Sequence, residues 1–282
     1  MRGGPITKRR RLPHVQDNPG LSTRRRREGR VYGRPMQPMV KESMSSVGEE
    51  RWQRAQAWEL AFWQRGQVKT GWKKVAFPIA RPFLAAIHSR RATGDDWNHW
   101  WAEQFDRYAF LPDHVGDYIE LGCGPYTNTR LVLKGRSADR VVCSDPLAEE
   151  YLEFKGRWLA DAAGRGDVEI DPHPIEELPF PPSSFDVVVI INVLDHVMDA
   201  DACMRTAIGL LRPGGYLIFG QNLANPEMRG KHEWFEEGHP IRATAEDVEG
   251  YLDGLTPVLK KTVPAHDPPL HTGVLAFAGR RP

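Results

Sequence analysis

The chain has 282 residues, 40% hydrophobic and 27% charged, with a formal net charge of +1; this is enough apolar material for one large domain or two small ones and excludes a wholly disordered polymer. No stretch approaches 18 consecutive apolar residues and no apolar segment follows the basic N-terminus, so membrane-spanning and secretory patterns are absent and a soluble, cytoplasmic protein is expected. Cys123, Cys143 and Cys203 are odd in number and lack CxxC spacing, which argues against a disulfide framework or a cysteine-based zinc site.

The charge is unevenly spread. Residues 1–34 carry eleven Lys/Arg against Asp17 and Glu28, a local charge of +9 that leaves the remainder at −8. A basic head therefore precedes an acidic body. Residues 1–47 combine charge runs with Pro and Gly and have no apolar period, the composition of a disordered tail. "KRRR" and "RRRR" could contact nucleic acid through phosphates. They equally fit a solvated tail, or an upstream extension ahead of Met36, Met39 and Met44.

Residues 48–112 hold seven of the nine tryptophans. Trp52, Leu60 and Trp63, and then Trp97, Trp101 and Phe105, recur at helical spacing; "GDDW" offers an N-cap, and Pro78 and Pro82 break the segment between. Aromatic residues in this register form a helical extension whose inner face packs as core or walls an apolar substrate.

From residue 113 short apolar runs alternate with helical segments. Tyr118–Leu121, Arg140–Ser144, Val168–Ile170, Phe185–Asn192 and Tyr216–Gln221 read as strands, several apolar throughout, as parallel strands covered on both faces should be. Val258–Val263 and Thr272–Gly279 follow, and their short connection requires an antiparallel pair. The result is an α/β fold. In "LRPGGYL", Pro213 ends a helix and Gly214 and Gly215 supply the turn into the next strand.

Ligands of an open parallel sheet bind beyond the carboxyl ends of the strands, where strand order reverses. "ELGCGP" stands there: Gly122 and Gly124 remove side chains where a ligand would approach, and the following amides would point at it. A dinucleotide fingerprint fits poorly, because Thr127 occupies its third small position and Glu120 would repel a pyrophosphate. A carboxylate there can instead accept from an ammonium group. Asp145, ending "VVCSD", can bind the two hydroxyls of a ribose. The two acids together favour a nucleoside ligand that carries positive charge.

Four blocks, "YIELGCGP", "VVCSDPL", "IEELPFPPSSFDVVVIINVLDHVMD" and "LLRPGGYLIFGQN", resemble in order those of class I S-adenosylmethionine-dependent methyltransferases of the small-molecule type. The resemblance implies a Rossmann-like, seven-stranded, mostly parallel sheet with an antiparallel last strand, here with the N-terminal helical extension added. It implies S-adenosylmethionine as cofactor. The loop of Gly122, Cys123 and Gly124 would pass beneath the methionine part, with Glu120 organising that loop and the ammonium end. Asp145 would hold the ribose, Pro146 and Leu147 would lie against adenine, and Asn192 would lie under the methionine part through its backbone. Tyr126 replaces the third glycine of the family's loop and would help enclose the cofactor. The usual carboxylate for the adenine amino group is missing, so the backbone of Ile175 or the side chain of Glu176 would substitute.

Methyl transfer from a sulfonium requires alignment and exclusion of water, and no metal. A hydroxyl acceptor must also lose a proton; His196 in "NVLDHV" is the candidate base, with Asp195 orienting it or capping the next helix. His232, His239 and Arg242 lie in an insertion that covers the acceptor in relatives, and Thr244 with Asp247 reads as an N-cap pair. No Asp/Asn-Pro-Pro-aromatic box follows the fourth strand, and no Pro-Cys pair is placed to attack cytosine. A small-molecule, sugar or lipid acceptor, methylated at oxygen, is therefore expected. An RNA methyltransferase, an inactive domain whose basic tail contacts nucleic acid, and a nicotinamide-dependent oxidoreductase are the alternatives.

Overall fold

The apolar runs become the strands of a single sheet in the computed structural model, which describes residues 45–67, 96–154, 157–234, 236–266 and 268–282, all within a unit spanning Lys41–Pro282. The strands are β1 (Asp117–Leu121), β2 (Arg140–Ser144), β3 (Glu169–Asp171), β4 (Phe185–Ile191), β5 (Leu211–Ala224), β6 (Thr256–Val263) and β7 (His271–Arg280). Their order is β3-β2-β1-β4-β5-β7-β6. Neighbours from β3 to β5 are parallel, and β7 runs antiparallel to both β5 and β6. The chain builds outward from β1 to β3 and then returns to place β4 on the other side of β1. Strand order therefore reverses between β1 and β4, which opens a crevice at their carboxyl ends.

Both faces are covered, which is why the central strands lack polar alternation. On one face Ile119, Leu121, Val188 and Ile190 pack with Met204 and Ala207 of α6 (Ala200–Leu210) and Val248 of α7 (Ala245–Leu252). On the other, Tyr118, Val187, Val189 and Ile218 meet Trp101 and Phe105, at the end of α2 (Asp96–Gln104). Ahead of α2 lies α1 (Glu49–Gln67); α3 (Thr129–Val132), α4 (Ala148–Leu152) and α5 (Trp158–Arg165) connect the first three strands. The edge strand β6 alternates in exposure and carries Lys260 and Lys261, each paired with an acid, Glu249 and Asp106. Charge on an edge strand discourages pairing with other chains.

Two details differ from the sequence reading. β5 begins at Leu211, ahead of the glycines: Leu211 pairs with Phe185, and the register shifts before Tyr216 pairs with Val187. Gly214, at φ +80°, is thus part of an irregularity inside the strand and not a turn before it. Asp199, and not Asp195, caps the helix after β4, accepting from the Ala202 amide at 2.8 Å. The Thr244–Asp247 pair does form a capping box at α7. The basic tail through residue 44, the "GDDW" cap at Asp95 and the Pro78–Pro82 break lie outside the described residues.

Trp101 fixes the helical extension to the sheet. Its ring is fully buried and lies on the backbone of Gly220, where an added Cβ would come within 2.8 Å of it. Trp101→Ala would leave a cavity between α2 and β5, and we expect a loss of about 3–5 kcal/mol in unfolding free energy, read from the urea midpoint.

Candidate functional site

The loop after β1 is held from below. Glu120 is almost fully buried, and its carboxylate accepts from the Asn128 and Thr129 amides, each at 2.8 Å, from Asn128 Nδ2 at 3.0 Å, from Thr129 Oγ1 at 2.6 Å and from Thr127 Oγ1. These donors include free amides at the start of α3, where a carboxylate is favoured. Glu120 thus holds the loop through both of its oxygens. Above it, Gly122 sits at φ +65°, and a Cβ there would stand 2.5 Å from Val193 Cγ2. Only glycine satisfies both constraints.

Asp145 ties the loop to β2. Its Oδ2 accepts from the Gly124 amide at 3.0 Å and its Oδ1 from the Leu147 amide at 2.9 Å. Burial, reinforced by the charge of Glu59 and only partly offset by these two amides, pushes the carboxyl up to about 7. Gly122, Gly124, Asp145, Pro146, Ile175, Glu176, Asn192 and His196 border one cavity, closed over by Trp52, Gln56 and Glu59 of α1. Asn192 adopts φ +59°, and its Oδ1 accepts from Asn222 Nδ2 at 2.6 Å. Glu176 Oε1 accepts from the Met198 and Asp199 amides at 2.9 and 3.0 Å, so that oxygen supports the loop after β4. The Cys123 side chain packs with Cys143, Leu147 and Tyr151.

A second cavity of about 390 Å³ shares Gly122, Gly124, Asn192, His196 and Glu59 with the first. Its walls are aromatic: Trp58, Phe62 and Trp63 from α1, Trp97 and Trp101 from α2, and Tyr126. Tyr126 meets Trp63 edge-on at 5.4 Å, carries the Arg157 guanidinium 4.4 Å from its ring centre, and accepts from Asn98 Nδ2 on its carbonyl at 2.7 Å. The residue that stands for a glycine is therefore the joint between the loop and both helices. Helix α1 is latched at its other end by Trp52 Nε1 and Gln56 Nε2, which donate to the His196 carbonyl at 2.9 and 3.2 Å.

Beside this cavity His196 is nearly enclosed by carboxylates. Its Nδ1 is 3.3 Å from Glu59 Oε2 and its Nε2 is 3.8 Å from Asp195 Oδ1. Burial alone would push the ring down; Glu59 and Asp195 outweigh it and carry it up to about 10. These carboxylates favour the charged form of the ring, so His196 would have to give up that proton before it could serve as general base. His239, from the insertion after β5, lies with its ring 4.6 Å from that of His196; its Nδ1 is 2.8 Å from Glu236 Oε2 and its Nε2 is 3.7 Å from Asp195 Oδ2. His239 and Arg242 of the insertion are thus built into the site, with Arg242 buried against the Trp234 carbonyl and Glu236; His232 is exposed. Glu59 gave no signal in the sequence, because acids on a helix ordinarily face water. Its burial follows from where α1 docks.

Residues 119–219 match the family model described as Methyltransferase domain. Over 131 residues the chain is 32% identical to 27-O-demethylrifamycin SV methyltransferase of Amycolatopsis mediterranei, covering 44% of this chain and 46% of that protein. Over 79 residues it is 38% identical to the ubiquinone/menaquinone biosynthesis C-methyltransferase UbiE of Pseudomonas putida, covering 28% and 30%. The chain spans less than half the length of these curated relatives. Among solved structures, the [4+2]-cyclase SpnF aligns with a TM-score of 0.51 at 17% identity over 68% of this chain and 81% of that one. Geranyl diphosphate methyltransferase in complex with SAM aligns with 0.51 at 14% identity over 66% and 85%. At these identities the structural likeness concerns the fold. Among the described residues no helix is long and apolar enough to cross a membrane.

The raised carboxyl of Asp145 has a signed consequence for stability. Its folded value of about 7 exceeds its ordinary value, so the fold favours the neutral form. That contribution is complete below about pH 4 and is lost as pH rises through about 7. Asp145→Asn should therefore raise the melting temperature of the ligand-free protein relative to wild type more at pH 8 than at pH 5. Thermal unfolding at the two pH values checks the sign.

Proposed function

We propose that the protein is a class I S-adenosylmethionine-dependent methyltransferase, in keeping with the methyltransferase match over residues 119–219, and that it methylates an oxygen of a small-molecule acceptor, such as a sugar, lipid or polycyclic hydroxyl, bound in the aromatic cavity. S-adenosylmethionine supplies a methyl group already activated on a sulfonium. The chain's own residues then have to bind, align and keep out water. The observation that carries the reading is that the loop pocket and the aromatic cavity meet at Gly122, Gly124, Asn192 and His196.

The residues fit a nucleoside with a charged tail. Gly124 leaves open space where a side chain would stand, and the buried Asp145 carboxylate borders the same cavity. We assign the ribose hydroxyls to Asp145, the adenine wall to Pro146, Leu147 and Ile175, and the methionine part to the backbone of Gly122, Cys123, Gly124 and Asn192. Glu120 acts beneath the loop, as a positioning residue. Glu176 has one oxygen committed to the Met198 and Asp199 amides, which leaves the other for an adenine amino group. Helices α1 and α2 supply the cover and the acceptor wall. The oxygen preference draws on the named reaction of the rifamycin relative and on indole and phenyl walls suited to the faces of sugars and fused rings. Residues 1–47 are assigned no part in cofactor binding.

Calorimetric titration of the full-length protein with S-adenosylhomocysteine tests the reading. We expect binding, and at least a tenfold weaker Kd, about 1.4 kcal/mol, in Asp145→Ala; absence of binding by wild type would sink it. On the acceptor side, Phe62→Ala should raise KM for a turned-over hydroxyl acceptor several-fold while leaving the S-adenosylhomocysteine Kd unchanged. A weaker S-adenosylhomocysteine Kd with the acceptor KM unchanged would mean that Phe62 serves the cofactor pocket and not the acceptor.

A further inference from the structure

Asp195, His196 and His239 are ion-paired at N···O separations long enough for an ion to stand between the groups. Nε2 of each ring points at a different oxygen of Asp195, at 3.8 and 3.7 Å. Those separations exceed the range of an aligned hydrogen bond. They are close to the spacing of about 3.4 Å between ligands that each lie about 2.0–2.1 Å from a shared tetrahedral ion. The candidate ligand atoms of the three residues all lie within 4.8 Å of one another.

A second feature points the same way. Each imidazole has its other nitrogen beside a carboxylate: His196 Nδ1 by Glu59, His239 Nδ1 by Glu236. Neither Nδ1 makes a hydrogen bond as the rings stand, but each carboxylate is near enough to accept from its Nδ1 once the ring turns, the arrangement usual around metal-binding histidines. The ligand carboxylate and the outer Glu236 are held in turn. Asp195 Oδ1 accepts from Gln221 Nε2 at 3.3 Å, its carbonyl accepts from the Ile241 amide at 3.3 Å, and Glu236 accepts from Arg242 at 3.2 Å. His196, Glu59, Glu236 and His239 also border the aromatic cavity, so one side of the cluster faces the space proposed for the acceptor.

We propose that Asp195, His196 and His239 form a site for a divalent first-row transition metal, zinc-like in its ligand set, open to the acceptor cavity and backed by Glu59 and Glu236. Two imidazoles and one carboxylate with open positions suit such an ion better than magnesium or calcium, which prefer all-oxygen sets. On binding, the ion takes the place of protons in the cluster. Its role rests on the methyltransferase reading. The ion holds the acceptor hydroxyl and lowers its pKa, so the proton leaves to solvent. The oxygen–carbon bond then forms as the sulfonium–carbon bond breaks, with that electron pair remaining on sulfur. The expectation that no metal is needed arose from the methyl donor alone; this cluster concerns the acceptor.

Metal binding is measured directly on the full-length protein, with Co²⁺ as a visible-absorption probe and Zn²⁺ as competitor. We expect one equivalent of Co²⁺ with ligand-field bands, displaced by Zn²⁺. His239→Ala should lose those bands and bind at least 100-fold more weakly, and the outer variant Glu236→Gln should bind 10–100-fold more weakly. S-adenosylhomocysteine binding should persist in both variants, which separates failure of the metal site from failure of the cofactor reading. Should His239→Ala not fold, Glu236→Gln and His239→Gln carry the same comparison. Wild type without stoichiometric Co²⁺ or Zn²⁺ binding, or binding unchanged in these variants, overturns the proposal.

Discussion

The buried carboxylate of Glu120 is the constraint on which the rest of the site depends. It ends a central strand inside the protein, where an isolated charge would be strongly disfavoured. Five donors from Thr127, Asn128 and Thr129 surround it. To meet it, the chain must turn sharply after Leu121 and bring the first turn of α3 back over the strand end. That turn is what sets Gly122 at positive φ and directs the Gly124 amide toward Asp145. A carboxylate buried beneath the loop thereby shapes the cavity floor.

The cover is decided by a different kind of contact. Helix α1 reaches the sheet's carboxyl end through hydrogen bonds from Trp52 and Gln56 to one carbonyl, an ion pair from Glu59 to His196, and aromatic contact from Trp63 to Tyr126. Arg51 adds hydrogen bonds to the carbonyls of Glu236 and Glu237 at 2.6 and 2.7 Å. These partners belong to three loops, after β1, β4 and β5. The helix therefore joins the cofactor side, the His196 turn and the insertion, and any shift of α1 alters all three together.

Much of this was legible from residue order. Apolar runs of strand length identify the sheet, because strands buried on both faces have no polar alternation to hide them. The glycine pair and the two acids at strand ends identify the pocket, because ligand approach and ribose recognition restrict which residue types work there. The β5 boundary was misread because Pro-Gly-Gly ordinarily marks a turn, whereas here the strand starts before it and absorbs the glycines as an irregularity. The donors that hold Glu120, two threonines and an asparagine, are residue types common in loops and have no sequence signature of their own. His196 suggests a base from its chain position, and nothing in its neighbourhood along the chain discloses Glu59, which favours the charged ring.

By itself the sequence determined the α/β class, the strands and the cofactor loop with its acids, since these follow from short-range patterns of polarity and backbone freedom. Only the tertiary structure decided which groups face one another across long separations. It brought Glu59, Asp195, His196, Glu236 and His239 into one cluster and turned tryptophans of two helices into a cavity wall. Docking of α1 and the insertion after β5 onto the same end of the sheet is the reason, and no local pattern encodes where two such segments will meet.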